Sequence, residues 1–303
     1  MKSYKWFFII ISCLPLFATE TGWIILRKIR TALPKSVATV CVENDNLLSG
    51  IIYYPSLLPY LTQSVLYTFA ELGFVEDKLL GIVYSLPIRN NEMSGLLVGC
   101  IVYDVGNEEI WYVNKEGEEK SVKYSLQRDL LATISYGTKV LDKITIGGSV
   151  KFVNSSFADN EKSVNAISYD FVTTSLVKNF VISLAIQNFG FSNKFVETTE
   201  KLPSNISFTC GYNKSFGIKN KIHVSPSVDL QYLIEDKKLY LSLGTAVDKP
   251  PLGMFFEYKF NTEEGKITFG IGAEVKNFSI YYSFIPSTFF SSTHCISFCI
   301  KFK

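Results

Sequence analysis

"THCISFCIKFK", residues 293–303, alternates between apolar residues and small or charged residues. Ile296, Phe298, Ile300 and Phe302 share one face, and Cys, Ser and Lys residues share the other. Because successive side chains of a β-strand point to opposite faces, this alternation predicts a two-faced strand. Such a strand either belongs to a small sandwich or closes a barrel, and the rest of the sequence has to distinguish the two.

The chain carries little charge for its size. Of its 303 residues, 47% are hydrophobic, 15% are aromatic and 19% are charged, whereas about a quarter of a typical soluble domain is charged. No apolar run reaches the roughly 18 residues of a membrane-spanning helix. The net charge is +2 and no basic patch stands out, so we expect no nucleic-acid partner.

Residues 1–18 have the pattern of a secretory signal peptide. Lys2 and Lys5 precede a short apolar stretch, and Ala18 offers a small residue for cleavage. An uncleaved anchor and a lipoprotein modified at Cys13 are the alternatives. The signal predicts that the protein is exported.

From about residue 62 onward the alternation recurs with period two, without a comparable helical stretch. We predict about fourteen strands, most of them near the roughly 9–11 residues that a tilted membrane strand needs. The predicted spans are 63–73, 78–88, 94–105, 123–140, 143–154, 164–177, 180–190, 203–216, 221–234, 238–247, 253–261, 266–275, 278–285 and 292–302.

The predicted connections differ in length between the two ends of the strands. Those after even-numbered strands are short, such as 141–142 and 178–179, whereas 106–122, 155–163 and 191–202 follow odd-numbered strands. Short turns at one end, longer loops at the other and an even strand count are the layout of a bacterial outer-membrane barrel. We expect both termini on the periplasmic side.

Alternation alone does not tell which face meets water. The small polar face, rich in Gly, Ser and Thr with Lys, Gln and Asp, is costly to bury in a dry core but suits a wet or plugged lumen. Together with the export signal and the aromatic residues Phe298 and Phe302 of the last strand, this favours a transmembrane antiparallel β-barrel over residues 63–303, in the outer membrane and in contact with its lipid. A secreted β-sandwich or lipoprotein is the alternative.

Residues 19–62 do not alternate. An apolar and basic stretch precedes Pro34 and can form a short helix, and the remainder is loop-like or extended. Trp23, Ile25 and Tyr53 are among several apolar side chains that need burial. We therefore predict that this segment folds into the lumen as a plug, rather than hanging as a loose periplasmic tail.

Several motifs, taken in order, resemble those of the PorV/PorQ-like outer-membrane proteins, relatives of the FadL long-chain fatty-acid transporters. The family's opening "LKIGxGARALGMGGAFVAxADD" and the following "YWNPAGL" are similar to "LRKIRTALPKSVATVCVENDN" (26–46) and "IYYPSLLP" (52–59). Further counterparts are "GGSVKFV" (147–153), "ISYDFVTTSLV" (167–177), "LAIQNFG" (184–190), "KLPSNISFTCGYN" (201–213) and the C-terminal strand pair.

The sequence departs from this family in the plug. Tyr54 stands in place of an Asn, Leu57 in place of a Gly, and Thr31, Pro34 and Lys35 in place of glycines that permit tight turns. The resemblance implies a fourteen-stranded barrel with an N-terminal plug. It also implies either passage of small hydrophobic molecules or a non-enzymatic role beside secretion-system proteins, as for PorV in type IX secretion.

No pattern predicts catalysis, a cofactor or a metal site. The two histidines are His223 and His294, and Thr293 beside His294 faces the opposite side of its strand, so the two cannot form a nucleophile–base pair. The cysteines lack metal-like spacing and are interpreted as small packing residues. We predict a protein that is not an enzyme.

Inward-facing charges are the candidate functional residues, either as contacts to a ligand or plug or as salt-bridged packing of the lumen. These lumen and plug candidates are Tyr54, Pro55, Lys151, Asp170, Asp229, Glu257, Lys259 and Glu274. The acidic loop 108–120, which contains Trp111, is expected at the membrane interface.

Two functions therefore remain open. A transporter predicts an apolar pocket between plug and wall and a lateral gap, for example at the strand that holds Pro226. A secretion scaffold predicts a filled or blocked lumen.

Overall fold

Fourteen antiparallel strands form a closed barrel, as predicted. The computed structural model describes residues 23–40, 49–73, 77–89, 93–113, 118–157, 162–195, 198–199, 201–217, 222–262, 265–287 and 291–302. The predicted signal peptide lies outside these residues. Among them, no helix is long and apolar enough to cross a membrane.

Each strand pairs with its neighbours in sequence, and β1 pairs with β14 to close the ring. The strand whose bounds differ most from the prediction is β4, which was predicted to start at residue 123 and starts at Gln127. The strands are β1 Ser64–Leu72, β2 Lys78–Arg89, β3 Met93–Asp104, β4 Gln127–Leu141, β5 Ile144–Phe157, β6 Lys162–Val177, β7 Phe180–Ser192, β8 Asn205–Tyr212 with its continuation Lys214–Phe216, β9 Ile222–Leu233, β10 Lys238–Lys249, β11 Leu252–Phe260, β12 Ile267–Val275, β13 Phe278–Ile285 and β14 Thr293–Phe302.

The apolar face of the strands points outward. On β14, Cys295, Ser297 and Cys299 are buried inside, whereas Phe298 and Phe302 are exposed on the outer surface. The same pattern continues round the ring, so exposed Leu, Ile, Val and Phe side chains cover the outside. A surface this apolar is far larger than the patches that soluble monomers expose, and it suits contact with lipid.

The connection after β3, predicted as a long loop, contains a pair of strands. Asn107–Val113 and Glu119–Ser125 form a β-hairpin that continues the β3–β4 ladder outward in the same register. Gly106 joins the hairpin to the barrel with φ +105°, a conformation that favours glycine. Trp111 on this hairpin is 66% exposed.

The N-terminal segment, residues 23–40 and 49–62, packs against inward-facing side chains of the barrel. It contains helices α1 Ile24–Lys28, α2 Lys35–Val40 and α3 Gly50–Tyr53, followed by a 3₁₀ helix at Pro55–Tyr60. Its apolar side chains form one buried cluster with inward residues of β1–β3, which are apolar where a polar face was predicted. These wall residues are Val65, Tyr67, Phe69, Leu79, Val83, Leu97 and Ile101.

Three paired glycines provide the surface on which the 3₁₀ helix lies. Gly95 of β3 pairs with Gly137 of β4, which pairs with Gly147 of β5. A Cβ atom at any of the three would overlap backbone atoms of the 3₁₀ helix, including the Pro55 carbonyl oxygen. The missing side chains therefore allow the helix backbone to contact the wall directly.

We expect Gly137→Ala to displace the 3₁₀ helix, because the added methyl group would overlap the Pro55 carbonyl oxygen. Overpacking of this kind typically lowers the free energy of unfolding by about 1–3 kcal/mol. Urea unfolding in detergent measures this loss, and limited proteolysis reports exposure of residues 23–62.

Gly148→Ala is the matched control, since a Cβ there meets only the Asp170 carbonyl oxygen, at 3.2 Å. Equal protease sensitivity of the two variants would contradict the expectation that a methyl group at residue 137 displaces the 3₁₀ helix.

Candidate functional site

A cavity of about 310 Å³ lies between residues 26–35 and the inner wall formed mainly by β7–β13. Leu233, Thr262 and Ile285, at or beyond the ends of β9, β11 and β13, belong to its lining. These positions put the cavity at the end of the barrel that carries the longer loops. We call it the vestibule.

Tyr54 and Lys35 form a buried polar network at the wall side of the vestibule. The Tyr54 hydroxyl lies 2.7 Å from Thr209 Oγ1 and 3.4 Å from Asp229 Oδ1. Thr209 donates to the same Asp229 oxygen over 2.5 Å. Lys35 Nζ lies 4.0 Å from that oxygen and donates to Ser207 over 3.0 Å.

The charges of this network support each other. Burial alone would lower the pKa of Lys35, but Asp229 and Tyr54 raise it above its ordinary value. Burial raises the pKa of Tyr54, although the Lys35 charge opposes the shift. Lys35 therefore stays cationic and Tyr54 stays a neutral phenol at neutral pH.

Glu257 of β11 forms a second contact between segment and wall. Its Oε1 accepts a 2.5 Å hydrogen bond from Ser36 of α2. Its Oε2 lies 3.2 Å from Lys259 Nζ but receives no hydrogen bond. The carboxylate is thus held by a hydrogen bond at one oxygen and by an ion pair at the other, and its residue lines the vestibule.

A bulge in β7 turns two consecutive side chains, Gln187 and Asn188, inward. The pairing of β6 with β7 shifts register here, and Asn188 has φ +58°, a left-handed conformation that Asn tolerates better than most residues. The Asn188 backbone N–H donates to Asp170 Oδ1 over 2.8 Å, and the side-chain Oδ1 of Asn188 accepts from Lys151 over 2.9 Å. Lys151 also pairs with Asp170 at 2.6 Å.

The bulge connects the wall to the N-terminal segment. Gln187 Nε2 donates to the Tyr53 carbonyl over 2.8 Å, and Asn188 Nδ2 to the Leu26 carbonyl over 3.3 Å. The buried ion pair thus holds the strand in the shape that presents both amides to the segment.

The last turn of helix α1 carries two cations, Arg27 and Lys28, which reach two acidic sites at the long-loop end. Arg27 pairs with Asp236, in the β9–β10 turn, at 2.5 Å. Lys28 contacts Asp77 beside β2 and lies 3.8 Å from Glu71 at the end of β1. Because β1 and β9 lie on opposite sides of the ring, these two contacts tie the last turn of the helix to both sides of the wall.

Most sequence-derived candidates lie at or beside the vestibule, whereas Glu274 does not. Glu274 pairs with Lys301 near the short-turn end. Pro55 lies against the glycine row. The candidates on the vestibule lining are Lys151, Asp229, Glu257 and Lys259, while Asp170 and Tyr54 lie one contact away.

Sequence reasoning missed Gln187, Asn188 and the cations of α1. A bulge adds one residue without changing composition, so nothing in the alternation of β7 marks Asn188 as inward. Lys28 and Arg27 were visible only as a basic stretch, and their partners become apparent only once β1, β2 and the β9–β10 turn are closed into a ring.

Pairing between β7 and β8 stops at Gln187–Asn205. Beyond it, the described residues of β7 pair only with β6. Leu202, Pro203 and Ser204 fill the gap, where Ser204 Oγ donates to the Asn188 carbonyl over 3.0 Å. We call this interruption the β7–β8 seam.

The strand with Pro226, where a lateral gap was suggested, has a smaller interruption. Pro226 has no N–H, and the β8–β9 ladder is broken between Gly211–Ser227 and Lys214–Val224. The register is the same on both sides of the break, and the Asn213 backbone N–H still donates to the carbonyl of Asn179, the residue that precedes β7.

Solved structures with a similar fold include three channels. The toluene transporter TodX of Pseudomonas putida is 12% identical with a TM-score of 0.52, over 89% of this chain and 94% of TodX. A FadL homologue of Pseudomonas aeruginosa is 9% identical with a TM-score of 0.51, over 84% and 94%. The CymD monoaromatic hydrocarbon channel is 11% identical with a TM-score of 0.50, over 90% and 95%.

This chain shares its fold with FadL-type channels. At these identities the similarity concerns the fold alone. No protein-family model and no curated protein matches the sequence. The comparisons thus support the sequence resemblance to FadL relatives at the level of fold. The resemblance to PorV/PorQ proteins stays a prediction.

We expect Asp170→Ala to destabilise the barrel strongly, because it leaves Lys151 charged, buried and without its carboxylate. Breaking a buried pair on one side typically costs about 3–5 kcal/mol. Lys201→Ala removes the exposed Lys201–Glu235 pair and should cost at most about 1 kcal/mol. Urea unfolding of both variants in the same detergent makes the comparison, and equal losses would show that the Lys151–Asp170 pair does not hold the bulge.

Proposed function

We propose that the protein is an exported outer-membrane channel that admits small hydrophobic molecules, and that residues 19–62 act as its plug. The vestibule is the observation that carries this proposal. It lies at the long-loop end, between the N-terminal segment and the wall, and Leu26, Ile29, Leu233 and Ile285 give it apolar sides. Its volume of about 310 Å³ is at the lower end of the roughly 300–1,000 Å³ typical of ligand pockets.

The outer surface supports a position in the membrane. Aromatic pairs lie near both ends of the barrel, such as Phe180–Tyr212 at the short turns and Tyr282–His294 at the longer loops. Aromatic girdles at the two interfaces with an apolar band between them are typical of membrane barrels. The fold shared with TodX and the FadL homologue is consistent with this location.

The contacts of the N-terminal segment support its role as a plug. Below the vestibule, the 3₁₀ helix lies on the glycine row, and Val40 of α2 fills the position of a missing side chain at Gly211. Ser56 and Thr174 hydroxyls lie 2.7 Å apart, which joins the segment to β6. A molecule in the vestibule therefore has to move the segment or leave sideways, and the β7–β8 seam is the lateral gap that we propose in place of Pro226.

A disulfide that locks the plug tests this proposal. In Ser56→Cys/Thr174→Cys the two side chains replace hydroxyls 2.7 Å apart, so a disulfide should bridge the 3₁₀ helix to the wall. We expect cells with an intact outer membrane to take up radiolabelled toluene faster with the wild-type protein than without it. The oxidised double variant should lose this gain, and dithiothreitol should restore it.

Ser135→Cys/Ser149→Cys is the matched control, since these hydroxyls are 2.8 Å apart on β4 and β5 and the bridge stays within the wall. Unchanged uptake by the oxidised Ser56/Thr174 variant would refute movement of the plug. No gain with the wild-type protein would refute transport, and co-purification of a secretion-system protein would then favour the scaffold role.

A further inference from the structure

Four oxygen atoms of the vestibule lining are buried and make no hydrogen bond to the described residues, and two of them, the hydroxyls of Thr262 and Ser283, can donate as well as accept. The other two are acceptors only: Asn205 Oδ1, on a residue that is 3% exposed, and Glu257 Oε2, on a residue that is 1% exposed and whose charge is paired with Lys259 at 3.2 Å. Both residues line the vestibule. A buried acceptor left without a donor costs about 1–3 kcal/mol, so these atoms are suited to a partner that occupies the vestibule.

The charges around the vestibule restrict what that partner can be. Lys35 lies beside Asp229, and Lys259 beside Glu257, while Arg30 has no ion-pair partner among the described residues. An ammonium group would bring donors but would face these three cations.

A carboxylate can accept from the Thr262 and Ser283 hydroxyls, but it has no donor at neutral pH. It would leave Asn205 Oδ1 and Glu257 Oε2 without a hydrogen bond while bringing its charge towards Glu257.

A neutral hydroxyl group fits these constraints. It donates one hydrogen bond to Glu257 or Asn205, and its oxygen accepts one from a neighbouring cation. A pure hydrocarbon would displace water from the vestibule without replacing the hydrogen bonds that water makes there. Sites built to bind a hydroxyl group discriminate strongly against analogues that lack it.

We propose that the vestibule binds compact hydrophobic molecules that carry a hydroxyl group, alcohols or phenols, in preference to hydrocarbons of the same size. This inference rests on the proposed channel function and names its substrate class. Leu26, Ile29 and Ile285 contact the apolar body, and Glu257 with Asn205 receives the hydroxyl hydrogen. The volume of about 310 Å³ suits a single ring with short substituents, since a cavity of about 150 Å³ holds benzene.

Three probes of nearly equal size test the proposal: toluene, 4-methylphenol and 4-methylbenzoate. Isothermal titration calorimetry of the full chain in detergent at pH 7, against a blank of the same detergent, gives the affinity for each. We expect 4-methylphenol to bind at least about tenfold more tightly than toluene, the ratio that one satisfied hydrogen bond of about 1.4 kcal/mol provides.

Two substitutions locate the effect. Glu257→Gln keeps the oxygen that Ser36 contacts and converts the free acceptor into an N–H donor, and Asn205→Ala removes the other acceptor. Substitution of the acceptor that the hydroxyl group uses should weaken 4-methylphenol binding about three- to tenfold, and both substitutions should leave toluene within about twofold. Glu274→Gln is the matched control, because this inward carboxylate pairs with Lys301 outside the vestibule lining, and it should change neither affinity.

The wild-type comparison decides the inference even if a variant fails to fold. Equal affinities for toluene and 4-methylphenol would overturn the hydroxyl preference and leave the channel function standing. Tightest binding of 4-methylbenzoate would overturn it as well, and would indicate that Arg30 governs selection. Absence of binding by all three probes would overturn both proposals.

Discussion

Closure of the backbone hydrogen-bond ring is the constraint on which the rest of this protein depends. In hydrocarbon, each unpaired N–H or C=O group costs several kcal/mol, so a sheet that faces lipid cannot keep a free edge. Pairing of β1 with β14 from Ser64–Phe302 to Leu72–His294 removes that edge. Fourteen strands then enclose an interior wider than wall side chains alone can fill, since about eight strands already suffice for a side-chain-filled core.

The N-terminal segment fills this interior through two kinds of contact, and only one of them fixes its position. Apolar contacts with β1–β3 bury surface but tolerate sliding. The cations Arg27, Lys28 and Lys35 each reach a different carboxylate on a different part of the wall. A shifted segment would leave buried charges unpaired, which is far more costly than a changed apolar contact, so the ion pairs select one arrangement.

The sequence predicts the barrel well because period two reports directly which side chains face out, and short turns mark where strands end. It predicts the contacts between the segment and the wall poorly, for physical reasons. The inner face of β1–β3 is apolar because residues 23–40 and 49–62 cover it, and alternation cannot distinguish such a strand from one buried on both sides. The bulge at Asn188 and the hairpin after Asp104 escape detection because an extra residue and a continued ladder leave no compositional mark.

The position of the vestibule follows from how the segment meets each part of the wall. On β3–β5 the three glycines let the 3₁₀ helix backbone lie on the strand backbone, so no space remains. Above α2, the stretch 26–35 meets β9–β13 through long charged side chains such as Lys35 and Lys259, whose length keeps the two backbones apart. The polar groups that align the segment are therefore also the groups that keep the vestibule from collapsing, because bringing the backbones together would remove water from those charges. The same side chains therefore fix the position of the N-terminal segment and keep the vestibule open.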